Sequence, residues 1–111
     1  MNNSENWNTY INIYINTITM EEYHITPAGY TIRYNEFTFE FISSLIDPIR
    51  YFFTRYDIIR HADYFKERGF DIPLISRLQE DNIRGLPMDP DEQEDIIQLG
   101  RLLREYYIEQ S

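Results

Sequence analysis

"FTFEFISSLIDPIRYFF", residues 37–53, contains two periodicities. Phe37, Phe39 and Phe41 alternate with Thr38 and Glu40, the spacing of a strand with one apolar face. From Pro48 onward, Ile49, Phe52, Phe53 and Tyr56 recur at helical spacing. Between them stands Asp47-Pro48, a carboxylate cap before a proline at the first helical position. The period therefore changes between residues 42 and 47, which predicts sheet before it and helix after it. Residues 36–46 can also start a helix, and the length of the sheet depends on which reading prevails.

Upstream, the alternation continues. "YTIRY" (30–34) sets Tyr30, Ile32 and Tyr34 against Thr31 and Arg33. "EYHIT" (22–26) precedes it, and Thr26-Pro27-Ala28-Gly29 has the proline and glycine positions of a type I turn. "NWNTYINIYINTIT" (6–19) is the longest alternating run. Trp7, Ile11, Ile13 and Ile15 fall on one side; Tyr10, Asn12 and Tyr14 fall on the other, which carries no charge. Together these runs predict an N-terminal antiparallel meander of about four strands, at 7–19, 22–26, 30–34 and 37–42.

Downstream, one helix is expected from Pro48 to Gly69, where glycine is a natural stop. A short helix is expected within 71–81, after Asp71 and Pro73. Another begins at Asp89-Pro90, where Glu92 completes a capping-box spacing. Its stripe is Ile96, Leu99, Leu103 and Tyr106. The predicted class is α+β: a single domain over 1–111, mostly strand over 7–42 and mostly helix over 47–109, the meander packed on two or three C-terminal helices.

At 111 residues the chain is of one-domain size. It has no cysteine, so disulfide and thiol chemistry are excluded. No secretory signal or membrane-length apolar run is visible, which suggests a soluble protein of the cytoplasm, a host cell's cytoplasm if the source is viral. Asp57 and His61 at i,i+4 are two potential metal ligands without a third, and the glycines form no phosphate loop. No enzyme activity and no cofactor are expected.

The formal net charge is −9, concentrated in "QEDNIRGLPMDPDEQED" (79–95), which holds seven acids and one arginine. Such a chain repels nucleic-acid phosphates, so direct nucleic-acid binding is not expected and a basic protein surface is. Asp89, Asp91 and Glu92 are accounted for by the start of a helix, where the dipole favours anions. Glu80, Asp81, Glu94 and Asp95 are not. The expected contact residues are Tyr10, Asn12 and Tyr14 on the uncharged strand side, with Glu80, Asp81, Asp91, Glu94 and Asp95 in the acidic segment. The long first strand also lacks the charges that block edge pairing, so a homodimer through it is a further expectation.

The leading expectation for function is a small non-enzymatic binding protein. It would inhibit or mask a basic, nucleic-acid-handling enzyme or complex, with spaced carboxylates standing in for phosphates. By analogy of type alone, this is how viral and mobile-element counter-defence proteins of the anti-CRISPR and anti-restriction kind operate. A structural or accessory subunit of a virion or multiprotein assembly is the alternative, and a small metal-dependent hydrolase the third.

Overall fold

The computed structural model describes residues 22–108, with the side chain of Ile108 excepted. The run 6–19, and with it Tyr10, Asn12, Tyr14 and the expected homodimer contact, lies outside the described residues. Among those described, the chain forms one hairpin followed by helices. The hairpin is β1 (Tyr23–Ile25) and β2 (Thr31–Arg33). A 3-10 turn, Tyr34–Phe37, leads into α1 (Phe39–Ser44), α2 (Pro48–Arg55), a second 3-10 turn (Ile59–His61) and α3 (Ala62–Glu67). Then come α4 (Ile72–Arg77), α5 (Glu80–Arg84) and α6 (Pro90–Leu103), which ends in a π-helical turn, Arg104–Ile108.

The four-strand meander is not formed. The described residues hold a two-stranded antiparallel sheet in a mostly helical chain. Its turn matches expectation: Gly29 N–H donates to Thr26 C=O at 2.8 Å, and Gly29 takes φ 91°. Residues 37–42 are the principal correction. Thr38 accepts from Phe41 N–H at 3.3 Å and so caps a helix start that alternation disguised. Phe37 is fully buried while Phe39 is 43% exposed, so the alternate phenylalanines share no face. Phe41, Ile42 and Leu45 turn inward at helical spacing instead.

The long helix expected after Pro48 is two helices. The Asp47 cap forms, its Oδ1 accepting from Arg50 N–H at 3.2 Å. At the end of α2, Asp57 enters the left-handed region with φ 59°. Asp57 N–H donates to Thr54 C=O at 3.1 Å and Ile58 N–H to Phe53 C=O at 2.9 Å. These two bonds are a Schellman closure. The same closure ends α3, with Gly69 at φ 77°, Gly69 N–H on Lys66 C=O and Phe70 N–H on Phe65 C=O.

The core joins Ile32, Phe37, Phe52, Phe53, Tyr56 and Phe65 to Ile75, Ile83, Ile96, Leu99 and Leu103. Gly100 brings α6 against α4, a Cβ built there lying 3.7 Å from Ile75 C=O. Arg104 donates to Ser76 and Leu78 C=O at 3.1 and 3.3 Å, placing a cation at the C-terminus of α4. Buried Gln93 holds the loop before α6 by donating to the carbonyls of Arg84, Leu86 and Met88 at 3.0–3.2 Å.

Candidate acidic docking surface

Three carboxylates of the acidic segment come together on the first turns of α6. Asp91 and Glu94 are exposed and Asp95 is half-buried. Asp57 joins them from the end of α2. The Asp95 carboxyl is raised above its ordinary value by burial first, then by Asp91, Glu94 and Asp57. A group that senses three neighbouring anions is part of one negative field, assembled from two elements.

The position of Asp57 is costly. A left-handed residue at the end of a Schellman closure is ordinarily glycine, as Gly69 is at the end of α3. Aspartate tolerates that conformation better than most residues, but at a cost of about 1 kcal/mol relative to glycine. A broken helix also separates Asp57 from His61, so the i,i+4 pairing read from sequence does not form. The imidazole Nε2 of His61 lies 3.1 Å from Glu92 Oε1 instead. His24, the second histidine, sits with Nε2 2.9 Å from Tyr56 Oη.

The remaining acids divide. Glu92 is buried, paired with Arg60 and His61, and accepts from Asp89 N–H at 3.1 Å, which gives the capping box foreseen from spacing. It serves the helix start and the join to the 59–61 turn. Arg84 on α5 reaches Glu94 at 2.6 Å and Glu80 at 3.4 Å, so two expected contact residues share one cation. Asp81, exposed on α5, has no ion pair among the described residues. Among the described residues the carboxylates of Asp57, Asp91 and Asp95, with Asp81 outlying, form no ion pair, although Arg60 Nη1 donates to the backbone C=O of Asp57 at 3.1 Å.

Sequence reasoning placed Asp91, Glu94 and Asp95 among the candidate contact residues and did not place Asp57 with them, because a helical stripe running through it concealed the break. The signal available was a residue type that accepts φ > 0, followed by two isoleucines, Ile58 and Ile59. The groove of about 480 Å³ beside Ile46 and Tyr51 shares no residue with this surface. Among the described residues, no helix is long and apolar enough to cross a membrane. No protein-family model, curated protein or solved structure matches the chain.

Proposed function

We propose that this chain is a non-enzymatic binding protein that docks through Asp57, Asp91 and Asp95 onto a basic, nucleic-acid-handling protein and masks its charged groove. One observation carries the reading. Asp57 occupies a backbone position where glycine is cheaper, and its carboxylate adds to the negative field felt by Asp95. Stability alone favours glycine at this position and fewer like charges around it. An anionic contact surface accounts for both, since carboxylates held on helix ends pair well with arginine and lysine. Counter-defence of the anti-CRISPR or anti-restriction kind is one setting for such a protein.

The test compares the parent with an Asp57→Asn, Asp91→Asn, Asp95→Asn variant, leaving Asp89 and Glu92 to cap α6. Each is immobilised and exposed to a host lysate, and bound proteins are eluted with heparin. The parent should retain nucleic-acid-binding proteins that heparin displaces, and the variant should retain at least about tenfold less of them. Equal retention by two equally stable proteins would refute the docking role of these acids.

A further inference from the structure

The two edges of the hairpin are treated differently. Thr26 N–H donates to Tyr30 C=O at 2.8 Å, and the register pairs His24 with Ile32, Tyr23 with Arg33 and Ile25 with Thr31. Bonded and non-bonded pairs alternate in an antiparallel ladder, so His24 and Ile32 bond to each other. The backbone groups of Thr31 and Arg33 then point away from β1, and those of Tyr23 and Ile25 away from β2. On the β2 side two of the four outward groups are engaged by side chains that lie across the edge: Arg55 Nη1 donates to Thr31 C=O at 3.2 Å, and Arg33 N–H donates to Glu36 Oε2 at 3.0 Å. On the β1 side the outward groups of Tyr23 and Ile25 have no partner among the described residues, and Ile25 is 68% exposed.

We propose that the open edge of β1 binds the same edge of a second copy, forming a transient antiparallel dimer centred on His24. The register is self-complementary. A two-fold axis at His24 sets Tyr23 opposite Ile25 of the partner and Ile25 opposite its Tyr23. Each of these is a bonded pair, so all eight outward N–H and C=O groups are used. On the outer face, each exposed Ile25 gains a tyrosine neighbour, an aromatic–β-branched pair. The Tyr23 ring is already backed by Arg33, whose guanidinium carbon lies 5.6 Å from its centroid. Neither Tyr23 nor Ile25 is charged, so no like charges face each other within those pairs. Glu36 and Arg55, by blocking β2, would limit assembly to two copies. Three residues per copy is a small contact, which makes the dimer weak, on the order of 100 μM.

Sedimentation of the full chain between about 10 μM and 1 mM should show mass rising from one copy toward two. The dimer should strengthen with salt, because screening relieves the repulsion between two chains of net charge −9. That is opposite to the salt response of a basic partner, so the two proposals fail separately. Ile25→Lys should weaken the dimer at least about tenfold with little change in melting temperature. The chain has no cysteine, so a register test is available. A mixture of Tyr23→Cys and Ile25→Cys chains should form a cross-copy disulfide under oxidant more readily than either variant alone. A monomer throughout the range, or Ile25→Lys dimerising like the parent, would overturn the proposal. So would equal cross-linking in the single-variant samples, or slow amide exchange at Tyr23 and Ile25 that does not depend on concentration.

Discussion

Asp57 and Gly69 close helices with the same pair of backbone bonds, yet only one of them is the residue that conformation favours. Replacing Asp57 with Gly removes the left-handed penalty and one like charge, against the greater chain entropy of glycine. We expect a net gain of about 0.5–1 kcal/mol, read as a higher midpoint in urea, together with weaker binding to a basic partner. Asp57→Ile should lose more than that, since a β-branched side chain is poorly accommodated at positive φ. Asp95 supplies a pH signature. Its folded carboxyl titrates above the ordinary 3.8, so the folded chain holds more protons across the window above that value. Its contribution to stability therefore falls as pH rises through this window and stays reduced at neutrality. Asp47 acts in the opposite sense: Lys66 at 2.6 Å holds its carboxyl below the ordinary value, and that stability is lost as pH falls through the lowered value. In thermal melts from about pH 3 to about pH 7, Asp95→Asn should melt higher than the parent at neutral pH, and the difference should close toward pH 3.

Each helix depends on its ends. Asp47, Asp71 and Asp89 stand before α2, α4 and α6, each with a proline in the first turn, which marks three starts independently of packing. Asp71 Oδ1 accepts from Leu74 N–H at 3.0 Å, and replacing Asp71 with Ala should cost about 1 kcal/mol. The contact of α4 with α6 is tested at Gly100. A Cβ there would meet Arg104 Nη1 at 3.5 Å and Ile75 C=O at 3.7 Å, both ordinary contacts. Gly100→Ala should therefore stabilise the chain by up to about 1 kcal/mol through helix propensity. Gly100→Leu has no such room and should lower the melting temperature by forcing α4 away. If Gly100→Ala also destabilises, the two helices are closer than these distances indicate.

Across the whole molecule, charge is divided between sites that serve the fold and sites that do not. Glu92, Asp47, Asp71 and Asp89 are used at helix starts, and Glu80 and Glu94 share Arg84. The carboxylates of Asp57, Asp91 and Asp95 form no ion pair among the described residues, and on the proposed reading they would supply the long-range field for association. Raising salt from about 50 to about 300 mM should slow association with a basic partner by about tenfold, with a smaller change in dissociation. The Asp57→Asn, Asp91→Asn, Asp95→Asn variant should show a shallower salt slope. An unchanged slope would mean that the field arises elsewhere on the chain.

The legible features were local ones. The Thr26–Gly29 turn, the caps at Asp47, Asp71 and Asp89, and the stop at Gly69 each depend on residues within a few positions of one another, so spacing was enough to find them. The fate of residues 37–44 was not local. A strand needs an edge to pair with, and on the outer edge of β2 Arg55 from α2 holds Thr31 C=O while Glu36 holds Arg33 N–H. With no ladder to join, the segment satisfies its own backbone as a helix capped by Thr38, whatever its alternation of phenylalanines. The same holds for the break at Asp57. The helical stripe runs past it, but burying Ile58 at 1% exposure requires the chain to turn, and that requirement exists only once the core is assembled. The acidic surface inherits this dependence: Asp91, Glu94 and Asp95 are neighbours in sequence, whereas Asp57 reaches them only through the packing of α2 and the 59–61 turn against α6.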